Sequence, residues 1–201
     1  MNKILLITSS LNAEQGNSSQ LASQFVGELC SAHEVKKLDL NALSLPHLSA
    51  DEMQAWMTPE AERTDKQVQL ANLSDGLIKD INDHDLIVIG MPMYNFGVPS
   101  VFKAWIDRIA RAGVTFKYTE QGPVGLVNNK KIIVVAARGG MYAGTAKDTQ
   151  TTYLKDFFGF LGITDVAFIY AEGLAMPDKD QRWSAAKQDI LTMAEKVTLV
   201  H

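Results

Sequence analysis

Apolar residues along the chain fall into short continuous runs that alternate with longer amphipathic stretches. The runs at 3–8, 85–90 and 131–137 have almost no polar interruption. Such runs are typical of strands buried on both faces of a parallel sheet. A more exposed strand is predicted at 34–39 and a fifth at 164–171. Because helical patterns separate these strands, we expect an α/β fold with a doubly wound five-stranded parallel sheet and helices on both faces.

The helical patterns share apolar residues spaced three and four positions apart. The first of them places Leu21, Phe25, Leu29 and Cys30 on one face. Residues 40–58 show little periodicity and are expected to form a long excursion with one short helix. No repeat or linker interrupts the chain, so residues 1–201 are expected to form one domain. The remaining predicted elements are helices at 60–82, 99–111, 148–161 and 178–200 and a small hairpin within 114–123.

Composition excludes several classes of function. The net charge of −4 argues against a nucleic-acid partner, because phosphate-binding surfaces usually carry a basic excess. The single cysteine, Cys30, rules out an internal disulfide and is expected to be a small, at least half-buried thiol. The four histidines are scattered without metal-ligand spacing, so we expect no metal site.

The ends and hydropathy of the chain bear on its location. The first strand begins at Lys3, which leaves no room for a secretory signal. No apolar stretch approaches the roughly 20 residues that a membrane span requires. We therefore expect a cytoplasmic protein with no membrane partner.

Parallel sheets of this kind bind ligands at the carboxyl ends of their strands. After the first strand, Gly16, Asn17 and Ser18 lead directly into a helix, whose free N–H groups favour an anion. Hydroxyls such as that of Ser10 add donors, and no Lys or Arg is present, which suits a single phosphate. The alternative is that Asn17 and Ser18 merely cap the helix.

The loops after the third and fourth strands suggest a planar ligand. A tight turn would use Gly, Asn and Ser, whereas residues 92–96 are Pro-Met-Tyr-Asn-Phe and would form a flat, partly apolar wall. After the fourth strand, Gly139 and Gly140 would let the backbone approach a ligand closely. The alternatives are a hydrophobic plug or oligomer contact for the first loop and an ordinary turn for the second. Together the three loops fit a phosphate, a spacer and a planar heterocycle, the shape of a mononucleotide such as FMN.

One related class is excluded by its chemistry. Phosphoacceptor receiver domains share the strand order but need carboxylates at the ends of the first and third strands to hold Mg²⁺. Residues 8–10 here are Thr-Ser-Ser and residues 90–92 are Gly-Met-Pro. With no carboxylate at either place, this chain lacks the receiver-domain metal site.

Four segments resemble the FMN-dependent NADH azoreductases, also called FMN-dependent NADH:quinone oxidoreductases. They are PMYNF at 92–96, RGG at 138–140, RAGVTFKYTEQGP at 111–123 and GFLGITDVAFIYAEG at 159–173. The resemblance implies a flavodoxin-like fold with bound FMN and NADH as the electron donor. It further implies reduction of quinones to hydroquinones and reductive cleavage of azo bonds, by two-electron ping-pong hydride transfer through the flavin N5 atom. The chemistry lies on the flavin, so no side chain is assigned a catalytic role.

The resemblance also implies which residues bind FMN. The phosphate would be bound by Ser10, Gly16, Asn17 and Ser18. The isoalloxazine ring would be lined by Met93, Tyr94, Asn95 and Phe96, and its pyrimidine end would be covered by Ala137, Arg138, Gly139 and Gly140. The family often has hydroxyl residues where this chain has Gly16 and Ala137. At these two residues a backbone N–H survives the change, but the hydroxyl contact with FMN is missing.

The family also implies a homodimer with each flavin near the interface. Tyr118 and Phe160 would then border the substrate face, and Trp56 and Met57 would belong to a lid or the interface. The alternative for all four is plain packing, which we favour for Trp56. Two other functions stay open: a flavodoxin-like FMN electron carrier without NADH turnover, and a non-enzymatic binding module.

Overall fold

The computed structural model describes residues 3–29 and 33–198. Its strands are β1 Lys3–Thr8, β2 Glu34–Asp39, β3 Leu86–Pro92, β4 Phe116–Thr119, β5 Gly122–Gly125, β6 Lys131–Ala137 and β7 Asp165–Ala171. Five of them form a parallel sheet in the spatial order β2-β1-β3-β6-β7, while β4 and β5 form a separate antiparallel hairpin. The predicted five-stranded α/β fold is confirmed. A hairpin is also present, but it extends to Gly125, because Gly122 and Pro123 pair with β4 as part of β5 and do not form the turn.

Seven α-helices accompany the strands in the described residues. They are α1 Asn17–Glu28, α2 Leu40–Leu43, α3 Ala50–Met57, α4 Asp65–Asp83, α5 Ser100–Ile109, α6 Thr149–Leu161 and α7 Lys179–Thr198. None of them has the length and apolar character that a membrane crossing needs. That residues 1–201 form one domain stays a prediction.

Several predicted boundaries were wrong for local reasons. The strand predicted to stop at residue 90 continues to Pro92, because Met91 and Pro92 still pair with β6. The helix predicted from residue 60 begins at Asp65, because the Thr64 and Gln67 side chains form a reciprocal cap there. The excursion at 40–58 contains two short helices instead of one. The predicted Cys30 thiol and the end of the last helix lie outside the described residues.

The sheet separates two hydrophobic clusters, which explains its uninterrupted apolar strands. Leu5 belongs to the cluster that contains Trp105 of α5, and the next residue, Leu6, belongs to the cluster that contains Phe25 of α1. Successive side chains point to opposite faces, so a strand covered on both sides needs apolar residues at every position. Each such side chain contributes about 2 kcal/mol when buried.

A buried ion pair fixes the excursion at 40–58 to helix α5. The Arg108 guanidinium is fully buried and donates from Nε and Nη2 to the Glu52 carboxylate, at 2.9 and 2.8 Å. Arg108 also donates to the carbonyl of Ala104. Nearby, the Arg111 guanidinium lies 5.5 Å from the ring centre of Trp56. Trp56 therefore packs against its own chain, as favoured above, whereas Met57 is exposed.

Replacing Glu52 by Gln is expected to lower the free energy of unfolding by about 3–5 kcal/mol, because the buried Arg108 charge loses its counter-charge. Urea unfolding followed by circular dichroism measures the loss. The matched control is Asp51→Asn in the same helical turn, whose ion pair with Lys66 is exposed. The control should unfold like the parent, and equal midpoints for both variants would contradict this role of the buried pair.

Candidate functional site

A pocket of about 250 Å³ opens where β1, β3 and β6 end. Its lining residues are Ser10, Asn12, Gln15, Gly16, Asn17, Ser18, Pro92, Met93, Tyr94, Ala137, Arg138, Gly139, Leu174 and Ala175. The predicted FMN residues all belong to this lining except Asn95, Phe96 and Gly140. The structure therefore brings together residues from the three loops that the sequence singled out.

The N-terminus of α1 forms the anion-binding part of the pocket. The first-turn N–H groups of a helix, here those of Asn17 and Ser18, have no partner within the helix. The Ser18 hydroxyl is buried and makes no hydrogen bond in the described structure. Close approach of α1 depends on Gly90, since a Cβ there would lie 2.9 Å from the carbonyl oxygen of Ser18. A buried hydroxyl without a partner, beside free N–H groups, fits a phosphate.

Gly16 shapes the anion-binding part of the pocket but offers no free hydrogen-bond donor. Its N–H donates to the carbonyl of Ala13 at 3.2 Å, so that donor is already used. A Cβ on Gly16 would lie 2.1 Å from Oγ of Ser10, which shows that the loop needs glycine for close packing. Among the described lining residues Arg138 is the one cation, so neutral groups surround the phosphate position.

Tyr94 connects two of the three loops. Its hydroxyl accepts a hydrogen bond from the N–H of Leu11 at 3.2 Å and lies 3.5 Å from Oγ of Ser10. The aromatic side chain thus reaches from the end of β3 to the loop after β1. This link holds the ring-binding segment beside the phosphate position.

The segment after β3 is a tight turn despite its aromatic residues. Tyr94 and Gly97 exchange both backbone hydrogen bonds, at 3.3 and 2.9 Å, around Asn95 and Phe96. Both central residues have positive φ, 50° for Asn95 and 65° for Phe96, as in the primed two-residue hairpin turns. A left-handed conformation is uncommon for a bulky residue such as Phe96 and signals local strain. The expectation that a tight turn would use Gly, Asn and Ser was therefore wrong.

The two terminal nitrogens of Arg138 bind protein groups, while its buried Nε makes no hydrogen bond in the described structure. Its guanidinium donates to Glu172 at 3.1 Å, to Asp148 at 2.8 Å and to Thr151 at 2.9 Å, and it lies 5.0 Å from the Tyr170 ring centre. The backbone N–H of Arg138 is also bonded, to the carbonyl of Ala171, the last residue of β7. The terminal nitrogens are thus used within the fold, and contact between Arg138, which lines the pocket, and FMN stays a prediction.

Gly139 and Gly140 provide the free donors of this loop. Neither N–H makes a hydrogen bond within the described chain, whereas both carbonyls accept bonds from the segment after β7. The Glu172 carboxylate accepts the N–H groups of Tyr142 and Ala143, at 2.8 and 2.9 Å. Glu172 therefore fixes the far side of the glycine loop while the glycine N–H groups stay available.

Burial and charge act in opposite directions on Asp148. Burial pushes the pKa of its carboxyl up, but the hydrogen bonds from Arg138 and Thr151 outweigh this, so the pKa lies below its ordinary value. Burial raises the pKa of Tyr170 above that of a free phenol, which keeps its hydroxyl protonated next to Thr151. Asp148 is thus charged at neutral pH and balances Arg138.

Sequence reasoning missed one side of the pocket and the groups that support it. Leu174 and Ala175 follow β7, whose carboxyl end lies at the same edge of the sheet as the other loops. The parallel topology alone could have predicted that Leu174 and Ala175 line the pocket. No sequence pattern pairs Asp148 or Glu172 with Arg138, and only the three-dimensional structure places them around it.

Tyr118 and Phe160 lie outside the pocket of their own chain. Both pack on Phe116, with ring centres 5.5 and 4.3 Å away, and Tyr118 remains 74% exposed. Their predicted place beside a substrate stays a prediction. Among residues 3–29 and 33–198, no cluster of carboxylate, His or Cys side chains could hold a metal ion.

Comparison with known proteins decides the family. A family model described as a flavodoxin-like fold matches residues 2–194. The chain belongs to the flavodoxin-like family. This membership agrees with the parallel sheet order and with a pocket at the carboxyl ends of its strands.

Relatives place this flavodoxin-like chain more narrowly. It is 51% identical to the FMN-dependent NADH:quinone oxidoreductase of Pseudoalteromonas atlantica, over 96% of this chain and 98% of that protein. It is 53% identical to the protein of the same name from Alteromonas mediterranea, over 89% and 90% of the two chains. The predicted membership of the FMN-dependent NADH:quinone oxidoreductase family is confirmed.

Solved structures agree with the family. An azoreductase from Bacillus anthracis str. Sterne superimposes with a TM-score of 0.89 at 28% identity, over 98% of this chain and 100% of that one. An FMN-dependent NADH-azoreductase from Bacillus anthracis str. Ames Ancestor, solved in complex with FMN, gives a TM-score of 0.89 at 26% identity, with the same coverage. The flavodoxin-like fold of this chain thus matches solved azoreductases along almost its full length.

Acid titration tests the electrostatics of the Arg138 cluster. Since the pKa of Asp148 is lowered by folding, its stabilising contribution is present above the unfolded value near 4 and is lost as the pH falls through the folded value. The unfolding free energy of the parent should therefore fall more steeply below about pH 4 than that of Asp148→Asn.

Urea unfolding at a series of pH values measures both slopes. The matched control is Asp156→Asn, an exposed position of the same helix, which should follow the parent. Parallel curves for the parent and Asp148→Asn would contradict a paired, ionised Asp148.

Proposed function

We propose that this chain is an FMN-dependent oxidoreductase that uses NADH to reduce quinones to hydroquinones and to cleave azo bonds. The reaction proceeds by two-electron ping-pong hydride transfer at one site. The observation that carries the proposal is the pocket itself, where the unpartnered Ser18 hydroxyl at a helix N-terminus shares the lining with Met93 and Tyr94, which lead into the strained turn. Relatives named FMN-dependent NADH:quinone oxidoreductases and azoreductases support it.

The residues around the pocket fit the parts of FMN. Ser10, Asn17 and Ser18 would hold the phosphate through hydroxyl and backbone donors, which suits one phosphate group. The ring would lie against residues 93–96, and its pyrimidine end against residues 137–140. When bound, FMN supplies the redox chemistry by accepting a hydride at N5 from NADH and passing two electrons to the acceptor.

The protein contributes orientation and electrostatics to this chemistry. The Gly139 and Gly140 N–H groups, which have no partner in the described structure, would face negative charge that develops at the pyrimidine end of the ring. The hydrogen bonds that the Glu172 carboxylate accepts from the N–H groups of Tyr142 and Ala143 keep this loop in place. No side chain is needed as a general acid, because water can protonate the product.

The proposal includes a homodimer with quinones and azo compounds as small-molecule partners. Large apolar side chains are exposed in the loops after β1, β3 and β6, namely Leu11, Phe96 and Met141, and Tyr118 is exposed on the hairpin. A second copy that covers some of them would bring Tyr118 or Phe160 to the substrate face. A cytoplasmic location and the absence of a nucleic-acid partner stay predictions.

Anaerobic stopped-flow spectroscopy tests the proposed reaction. The FMN-reconstituted protein is mixed with NADH, and benzoquinone is added afterwards. We expect rapid loss of the flavin absorption and full recovery with quinone. Flavin absorption that NADH leaves unchanged would instead support the electron carrier, and a colourless protein that cannot be reconstituted would support a non-enzymatic module.

Replacing Ser18 by Ala is expected to weaken FMN binding about 10-fold or more, because a hydrogen bond to a charged phosphate is lost. The FMN-free variant should be at least as stable as the parent, since its buried hydroxyl has no partner. Fluorescence titration measures the affinity. The matched control is Ser19→Ala, also buried and unpartnered but outside the pocket lining. Equal affinities for the two variants would remove Ser18 from the phosphate site.

Replacing Asn95 by Asp is expected to slow NADH oxidation roughly tenfold, because a negative charge beside the ring opposes its reduction. Asp tolerates the left-handed conformation, so the turn should survive. The control is Asn129→Asp, which has a similar φ of 56° in a loop away from the pocket. Unchanged rates for Asn95→Asp in single-turnover NADH oxidation would contradict contact between this residue and the ring.

A further inference from the structure

The strained turn after β3 requires an external restraint. Phe96 adopts a φ of 65°, which a bulky L-residue adopts only when its surroundings impose it. The N–H groups of Asn95 and Phe96 make no hydrogen bond within the described residues, so the turn itself leaves two donors free. A released chain would relax toward ordinary φ values and move these donors.

The first turn of α6 supplies that restraint. Nε2 of Gln150 donates to the carbonyls of Pro92 and Gly97, both at 3.0 Å, on either side of the strained residues. The hydroxyl of Thr149 donates to the carbonyl of Phe96 itself. Two consecutive side chains of one helix thus hold the end of β3, the middle of the turn and the end of the turn.

The buried amide oxygen of Gln150 lowers the stability of the fold, so a role in packing alone does not explain why this position holds Gln. The residue is 1% exposed, and its Oε1 is buried without a hydrogen-bond partner. Burying an unpaired amide oxygen is unfavourable, and an apolar side chain of similar size would avoid this cost. The useful part of the side chain is therefore its NH₂ group, which brackets the turn.

The same helical turn also holds the glycine loop. Asp148, which precedes α6, and Thr151 both bind the Arg138 guanidinium. The two loops also meet directly, since the Phe96 ring packs edge-on against Tyr142 at 5.5 Å. Residues 148–151 therefore contact both loops that border the ring position.

We infer that residues 148–151 form a clamp that presets the two ring-binding loops, and that Gln150 is its positioning residue for the β3 turn. The inference rests on the proposed function in that the ligand is a flavin. The clamp fixes the Asn95 and Phe96 donors before the ligand arrives. A ligand then binds without having to order the turn, which raises its affinity.

Gln150→Leu tests the clamp, because Leu fills the space but cannot donate. We expect FMN affinity to fall about 10-fold, since the flavin must now order the turn. Amide hydrogen exchange in the FMN-free protein should rise at least 5-fold at Gly97, whose N–H closes the turn onto Tyr94. The melting temperature should stay within about 4 °C of the parent, because loss of two hydrogen bonds is offset by removal of the unpaired oxygen.

Two further variants complete the experiment. Thr149 is exposed, and Thr149→Val removes only its hydrogen bond to the Phe96 carbonyl. This variant should fold, so it tests the clamp even if Gln150→Leu fails to fold. It should raise exchange at Gly97 by a smaller factor. Thr152→Ala, exposed in the same helical turn, is the matched control and should behave as the parent. Parent-like exchange and affinity in Gln150→Leu would overturn the clamp.

The exchange measurement also separates this inference from the proposed function. If the protein fails to oxidise NADH but Gln150→Leu still loosens the turn and weakens FMN binding, the clamp stands and the proposed reaction falls. If NADH oxidation is observed but Gln150→Leu leaves both exchange and affinity unchanged, the reaction stands and the clamp falls.

Discussion

The buried guanidinium of Arg138 is the constraint on which the site depends. A fully buried cation is unfavourable unless carboxylates and hydrogen bonds surround it. Asp148 and Glu172 meet this requirement from two different segments of the chain, with the Tyr170 ring beside the guanidinium. One charge thus joins the ends of β6 and β7 and the start of α6. The pocket takes its shape from this junction, because the glycine loop begins at Arg138 itself.

The other parts of the site are fixed relative to that junction. The first turn of α6 reaches from Arg138 to the strained turn after β3, and Tyr94 extends from that turn to the loop after β1. The loop after β1 ends at the N-terminus of α1, where the buried Ser18 hydroxyl has no hydrogen-bond partner in the described structure. Each link uses side chains that hydrogen-bond within the chain itself. The backbone donors that remain free are those that a phosphate and a planar ring would use.

The sequence predicted much of this because the relevant signals were local. Uninterrupted apolar runs identified the central strands, and parallel topology placed the loops after β1, β3 and β6 at one edge. The supporting charges could not be predicted, since Asp148 and Glu172 look like ordinary polar residues until folding brings them to Arg138. The positive φ of Phe96 could not be predicted either, because aromatic residues disfavour that conformation and tertiary contacts impose it. The buried pair of Glu52 and Arg108 could not be predicted from a local pattern, because the two residues are far apart in sequence and only folding brings them together.

The hydrogen bonds that join the three loops predict a preformed site, so that FMN binds to loops that are already ordered. Calorimetric titration of FMN into the FMN-free protein at several temperatures tests this most directly. A preformed site predicts a small heat-capacity change that matches the burial of the ligand and its pocket alone. A large negative heat-capacity change, of the size seen when a disordered segment folds on binding, would contradict the account.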